Sequence, residues 1–451
     1  MSREMKNSGV PWIGDIPNYW SAVRIKDLAD NSKNDSFTDG DWIESQYITD
    51  NGIRYYTSGN VGDGAFKPQG NGYISEETFA ALKCKYAYPG DLVIARLNAP
   101  FGRSCILPSE SDKYVLAVDI AILRTAYCKE YLNYAMQCQR YHHAVEEQAS
   151  GTAMQRISRS NLGKIKLPIP PMAEQKSIVH YLDSHCSTID SAISKHQQII
   201  EKLEEYRKAV ITQAVTKGLN LNVEMKDSGN MIIGTIPSSW QCPPLKMLLS
   251  DNENNMRVGP FGSSLPSRIF QDDGPWVYNQ RCVLDNNFEA TDVHIPEWKF
   301  EEMKSFAVYP GDMLITTRGT IGKVAIVPHD AKKGILHPCL IRFRLDNAKI
   351  LNEYVQYVFN GTDIVMNQIK QASGSTTIEA LYSGPLRSIK LPNPSVEEQH
   401  YIVSWLNIKC KKIAKTIEAH NQLISKLQEY RQSLIYNAVI GKIDCTTEAS
   451  A

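Results

Sequence analysis

No uninterrupted apolar run approaches the ~18 residues that a membrane helix needs. The opening residues, MSREMKNSGVPWIGDIP, also lack a basic stretch followed by an apolar one, so no secretory signal is expected and the cytoplasm is the expected location. The ten cysteines include no CxxC pair, which argues against a zinc ribbon or a disulfide framework in 451 residues and leaves reduced thiols as the default. Charge of one sign is equally lacking. Lys plus Arg total 49 and Asp plus Glu total 49, so no global field draws the chain toward nucleic acid or anionic lipid, and any such affinity must be local. Hydrophobic residues, at 42%, are plentiful enough for ordinary folded cores, which excludes general disorder.

Catalytic signatures are missing too. There is no glycine-rich phosphate loop ending in Gly-Lys-Ser/Thr, no HExxH and no GxSxG. Asp312 with Asp330-Ala-Lys332 falls short of a metal-nuclease pattern, and Asn393-Pro-Ser-Val396 lacks the aromatic residue that would stack on a flipped base. Cys138, His142 and His143 lie on one expected helix without the further ligands that a structural metal requires. No metal site and no catalytic residue is expected. Gly259-Pro-Phe-Gly262 reads as a turn with no counterpart elsewhere in the chain.

What the chain does contain is itself, twice. MKNSGVPWIGDIPNYW at 5–20 returns as MKDSGNMIIGTIPSSW at 225–240, carrying Pro17 to Pro237 and Trp20 to Trp240. Tyr88-Pro-Gly-Asp91 returns as Tyr309-Pro-Gly-Asp312, Gly102 as Gly322, and Gln148-Ala-Ser-Gly151 as Gln371-Ala-Ser-Gly374. Ile165-Lys-Leu-Pro168 returns as Ile389-Lys-Leu-Pro392, Glu174-Gln175 as Glu398-Gln399, and Lys202-Leu-Glu-Glu-Tyr-Arg207 as Lys426-Leu-Gln-Glu-Tyr-Arg431. Between these anchors, 31–80 and 251–300 share little. A duplicated frame with private inserts suggests one fold used to recognise two different things.

Each copy reads as a mostly β globule, with short β-type runs such as Leu92–Arg96 and Asp312–Thr316 bounded by turn residues. A helical stretch follows at about 129–147 and 351–371, then the Ile-Lys-Leu-Pro strand. After Pro171 and Pro394 the pattern becomes a long helix, with an acid in its first turn suiting the positive end of the helix. Sevens from Leu182 give Leu182, Ile189, His196, Leu203 and Val210, beside Cys186, Ile193, Ile200, Arg207 and Ala214. The second copy gives Leu406, Ile413, His420, Leu427 and Leu434, beside Cys410, Ile417, Ile424, Arg431 and Ala438. A 3.5-residue period held this long predicts a coiled coil, with the histidines setting register. Each helix would be about 69 Å long at ~1.5 Å per residue, so a parallel pair would need the second globule to bridge that length. The antiparallel pair is expected, with a globule at either end.

Two variable globules, each followed by an Ile-Lys-Leu-Pro strand, a Pro-x-x-x-Glu-Gln helix start and a heptad helix, resemble the specificity subunit of type I restriction-modification enzymes over essentially the whole chain. The Tyr-Pro-Gly-Asp turn, the strand after it and Arg96 or Arg318 look like that family's target recognition domain core. The resemblance implies an α/β (α+β) fold: two mostly β target recognition domains separated by two long helices in an antiparallel coiled coil. Residues 1–150 would be the first recognition domain and 151–219 a connector with the first long helix. Residues 220–374 would be the second domain and 375–451 the second connector. It further implies a non-catalytic reader of a bipartite double-stranded DNA target, with one half-site per domain and the helical pair setting the spacer. Two modification (methyltransferase) subunits would dock along the helices, accompanied by ATP-dependent restriction subunits. S-adenosylmethionine, ATP and Mg2+ would sit on those partners and none on this chain.

The residues agree with that reading, because two unlike heads at a fixed separation can read two short sequences on a duplex whose groove phase repeats about every 34 Å. Residues 1–150 carry 15 basic and 19 acidic groups and 220–374 carry 15 and 17, while the connectors are basic at 10 against 6 and 9 against 7. Phosphate attraction dominates DNA affinity, so the chain alone should bind weakly. Polar and basic residues of the inserts and nearby turns are the expected contacts. These are Asn51, Arg54, Asn60, Lys67, Arg96, Asn98 and Arg103 in the first copy, and Arg257, Ser263, Ser264, Asn279, Gln280, Arg281, Arg318 and Lys323 in the second. Arg96 and Arg318 are expected to match in the frame. Two other readings compete: an enzyme in its own right, which methyl transfer by the purified chain would support, and a protein-binding scaffold, which footprinting of the assembled complex on DNA would exclude.

Overall fold

The computed structural model describes residues 3–30, 32, 35–70, 72–149, 155–373 and 380–446. They form two compact units, Met1–His196 with Asn421–Ala451, and Gln197–His420. Each long helix, Met172–Lys217 and Val396–Val439, therefore gives one half to each unit.

In the first unit a four-stranded antiparallel sheet runs in the order Phe37–Asp39, Ile120–Leu123, Leu92–Ala95, Ser104–Ile106. All four residues of Leu92–Ala95 are buried because alternate side chains serve opposite faces. Leu92 and Ile94 join the core built on the long helices, and Val93 and Ala95 join a second core with Tyr56, Tyr114 and Leu116. That second core belongs to a smaller sheet, in which Ile53–Tyr56 pairs parallel with Tyr114–Leu116.

The second unit repeats this plan. Its four-stranded sheet has the order Met256–Val258, Leu340–Phe343, Met313–Thr316, Val324–Ile326, and Gln271–Tyr278 pairs parallel with Gly334–Leu336. Met313 and Ile315 face the helix core while Leu314 faces the other. The stretches 31–80 and 251–300, unlike in sequence, thus supply equivalent strands. The insert is private in its side chains but not in its topology.

The long helices pack antiparallel. In the first unit Leu182, Cys186 and Ile189 share a core with Leu434, Ile435 and Ala438, and Arg431 Nε lies 3.0 Å from Asp190. In the second, Ile211, Ala214 and Val215 share a core with Ile402, Val403 and Leu406. All of the heptad positions read from the sequence are buried or half-buried, His196 and His420 among the latter.

Three local expectations are corrected. The helical stretches are each two helices, Lys129–Ala135 with Gln139–Glu146, and Asn352–Gly361 with Ile364–Ser373. Short helices at Arg159–Lys164 and Ser383–Ser388 precede the Ile-Lys-Leu-Pro segments. In the first unit that segment is a strand, Lys166–Ile169, paired with Ser21–Arg24; in the second only the bridges Gln241↔Asn393 and Pro244↔Lys390 form. Pro243 and Pro244 have no N–H to give to a ladder there. The Ala-Ser-Gly junctions fall largely outside the described residues, at 150–151 and 374.

Candidate nucleic-acid interface

The repeated motifs turn out to be fasteners. Tyr-Pro-Gly-Asp is a turn in which Asp91 N–H donates to Tyr88 O and the Asp91 carboxylate accepts from Tyr88 N–H, both at 3.0 Å; Asp312 and Tyr309 do the same. Each carboxylate then pairs with the arginine that directly follows the neighbouring strand, Arg124 after Leu123 at 3.1 Å and Arg344 after Phe343 at 2.5 Å, and each guanidinium covers the turn's own tyrosine ring.

Glu-Gln at the helix start has an equally physical reason. Trp20 and Trp240 are buried and donate their indole N–H to Glu174 and Glu398, at 3.0 and 2.9 Å. Gln175 and Gln399 accept from the backbone of Cys128 and Leu351, and donate to Pro170 O and Pro394 O. The returning helix end is gripped as well. Tyr131 donates to Val439 O at 3.1 Å and Tyr354 to Val215 O at 3.0 Å, and burial pushes both phenols well above their ordinary range. These contacts hold each sheet at a set position on its helices.

What the frame holds in place is a rim of loops at one end of the four-stranded sheet. In the second unit the chain leaves three strands there, at Gly259–Ser264, Asn279–Arg281 and Thr317–Gly322, and His337–Cys339 crosses between them. Thr317 N–H donates to Cys339 O and His337 N–H to Tyr278 O, which ties the loops together. In the first unit the rim comprises 40–44, 57–61, 96–103 and 117–119. Arg103 staples two of these loops by donating to Val61 O, Ser58 O, Asn98 O and Pro100 O.

The sequence candidates divide by this geometry. Asn51 lies exposed in a turn, Asn98 is exposed on the rim, and Lys67 is exposed on a loop bordering it. Arg54 is half-buried, donates to Gly70 O and lies over Tyr73. Asn60 is buried, accepting from Thr57 N–H and donating to Lys67 O and Gln69 O. Arg96 is buried and donates to Ile157 O and Val118 O beside Asp39; burial lowers its pKa despite that carboxylate. Asn60, Arg96 and Arg103 thus have their polar groups engaged within the unit and shape the rim.

In the second unit Ser263, Ser264, Gln280, Arg281 and Arg318 sit on the rim with Asn279, which caps the helix Gln280–Leu284 through Arg281 N–H. Arg257 donates to Ser305 Oγ and lies over the Phe306 ring, and Lys323 reaches Asn360 O beside the helices. The expected match of Arg96 with Arg318 is off by one. Arg96 N–H donates to Asp119 O as Thr317 N–H donates to Cys339 O, so Arg96 matches Thr317 and Arg318 matches Leu97. Two rim-side arginines were not read from the sequence, Arg156 beside Asp119 and Arg159 beside Asp39. They lie after the first domain's apparent end and reach the rim through the bridge Leu97↔Arg156 and the bonds Ile157 N–H to Arg96 O and Arg159 to Phe37 O.

The chemistry set aside earlier has local accounts. His142 contacts Phe101 O at 2.9 Å and Asp63 at 3.1 Å, and Cys138 is buried with its thiol pushed up by desolvation. Among the described residues no cluster of three metal-binding side chains occurs, and none of their helices is long and apolar enough to cross a membrane.

This is a duplicated α+β protein with one variable rim on each copy of a shared frame. The family model described as the type I restriction modification DNA specificity domain matches it at residues 17–205 and 270–429. The chain belongs to that family and carries the domain twice. The EcoBI specificity subunit of Escherichia coli is 25% identical over 371 residues, covering 79% of this chain and 74% of that protein. A putative MjaX specificity subunit of Methanocaldococcus jannaschii is 24% identical over 448 residues and 96% of each chain. A chain from a structure of type I restriction-modification complex assembly superposes with a TM-score of 0.70 at 14% identity, covering 95% of this chain and 99% of that one, and shares the fold.

Proposed function

We propose that this chain is the DNA-reading subunit of a type I restriction-modification complex, with each rim reading one half of a bipartite target and the helical pair setting the gap. One observation carries the reading: the same strand frame, closed by the same side chains, ends in two rims lined by different residues. A frame spent on sameness and a rim spent on difference suit two unlike half-sites on one kind of polymer. Arg281, Arg318, Ser263 and Gln280 offer donors for base edges and phosphates in the second rim; Arg156, Arg159, Asn98 and Lys67 do so in the first.

The chain is proposed to be non-catalytic and to act in the cytoplasm. Methyl transfer to adenine, with S-adenosylmethionine, would belong to two modification subunits docked along the helices. ATP and Mg2+ would belong to restriction subunits. A near-neutral reader gains little from phosphate attraction, so tight binding would require those partners to enclose the duplex.

The test is to map modified adenines genome-wide in cells that carry the chain with its modification subunits, before and after replacing residues 21–150 with those of another recognition domain. One bipartite motif is expected, and the exchange should change one half of it. Loss of both halves, or no motif, would refute the reading.

A further inference from the structure

Gly259-Pro-Phe-Gly262 does have a counterpart, contrary to the sequence reading, and the structure locates it. Asp39 pairs with Ala121 as Val258 pairs with Ile341, and the next residues, Gly40 and Gly259, donate their N–H to Ile120 O at 2.9 Å and Leu340 O at 2.8 Å. A Cβ on either glycine would come within 2.3 Å or 2.2 Å of a carbonyl oxygen, of Leu116 and His337 respectively, so only glycine lets the chain cross there. Two residues further on stand Trp42 and Phe261. They are 71% and 85% exposed, among the most exposed large apolar side chains of the molecule.

Their exposure is built in. Each loop is pinned before the ring by the glycine crossing and after it by an inward apolar residue, Ile43 in the first unit and Leu265 in the second. Holding so large a ring in water forfeits burial that a folded chain would otherwise take. Both rings project from the rim, beside Ser263 and Ser264 in one unit and in the loop that follows Asp39, the partner of Arg96 and Arg159, in the other.

Resting on the reading above, we propose that Trp42 and Phe261 are the matched apolar DNA contacts of the two rims, each seated on a thymine methyl or wedged at a base step of its own half-site. Apolar side chains make both kinds of contact in the grooves of duplex DNA. A docking role toward a shared protein partner fits less well. Where the two copies perform one task they use the same residue, as with Tyr131 and Tyr354 or Trp20 and Trp240, whereas here one position holds Trp in one copy and Phe in the other.

The experiment uses the complex with modification subunits and a duplex bearing the site mapped for the unaltered complex. Trp42→Ala and Phe261→Ala should each weaken binding to that duplex by about 10- to 100-fold. Each should lose discrimination at bases of one half-site, a different half for each variant, with assembly unchanged. Trp42→Phe should retain most of the affinity and Trp42→Gln should not. Unchanged affinity, or equal effects on both halves, would overturn the inference, and failure to assemble would assign the rings to a protein partner instead. If the unaltered complex prefers no bipartite site, the proposed function fails first; if it does and the variants keep it, the inference alone fails.

Discussion

Asp312 carries more of its unit than Asp91 does of the other, and the difference can be measured. Asp312 is 2% exposed and accepts from Tyr309 N–H at 2.9 Å and from Arg344 Nε at 2.5 Å, with Arg342 Nε at 3.8 Å. Arg342 is itself 2% exposed, and burial, with Arg344 adding repulsion, depresses its pKa. One carboxylate thus compensates two cations. Asp91 faces only Arg124, whose side chain is 15% exposed. Replacing Asp312 with Asn keeps the shape and leaves both guanidiniums, the buried Arg342 among them, without a counter-charge, which should cost about 3–5 kcal/mol; Asp91→Asn should cost about 1–3 kcal/mol because it strands one half-buried cation and no buried one. With two compact units, a single unfolding curve would mix them, so amide hydrogen exchange is followed separately in Leu92–Ala95 and Met313–Thr316. Asp312→Asn should lower protection chiefly in the second strand and Asp91→Asn in the first. Equal losses, or a larger effect at Asp91, would refute the shared-carboxylate argument.

Two further outcomes follow from the frame. Gly218 and Gly441 end the long helices at φ 72° and 76°; a Cβ on Gly441 would lie 2.7 Å from the Pro17 ring, but one on Gly218 no closer than 3.2 Å to Glu398 or Trp240. Gly441→Ala should therefore cost about 2–4 kcal/mol and Gly218→Ala about 1–2 kcal/mol in the unit each helix end closes, and the reverse order in amide hydrogen exchange followed separately in the two units would contradict the geometry. Tyr357 and Tyr278 are pushed up to about 12, chiefly by burial, so they stay neutral in the fold while unfolded phenols ionise near ~10. Their contribution is complete below the unfolded value and is lost as pH rises from about 10 through 12. Thermal stability should fall across that window, less steeply in Tyr357→Phe, and an unchanged slope would exclude the cause.

The duplication, the long helices and their antiparallel packing were legible because each rests on periodicity or on identical residues at a constant offset. The strands common to 31–80 and 251–300 were not, since a strand frame constrains backbone and burial far more than side-chain identity. Gly40-Asp41-Trp42 and Gly259-Pro-Phe261 share only their glycine, and the backbone crossing that requires it is invisible until the strands are paired. The reader candidates mixed two kinds of residue for a similar reason. Asn60, Arg96 and Arg103 have the donors of base-reading side chains, but nothing local in the sequence shows that carbonyls of Lys67, Ile157 and Val61 will occupy them. Arg156 was missed because it sits some 60 residues beyond the loop it borders, joined to the rim by its bridge to Leu97 and its ion pair with Asp119.

The split between fasteners and rim has an energetic consequence. Asp91, Asp312, Trp20, Trp240, Tyr131 and Tyr354 are buried and bonded, so changes there cost kilocalories. Arg281, Arg318, Asn98, Trp42 and Phe261 are exposed ends of loops already closed by backbone bonds, where substitutions typically shift stability by less than about 0.5 kcal/mol. A recognition surface built that way can be rewritten side chain by side chain while the frame still folds. The two copies within this one chain show the result, since 96–103 and 317–323 cross the same strand ends with almost no side chain in common.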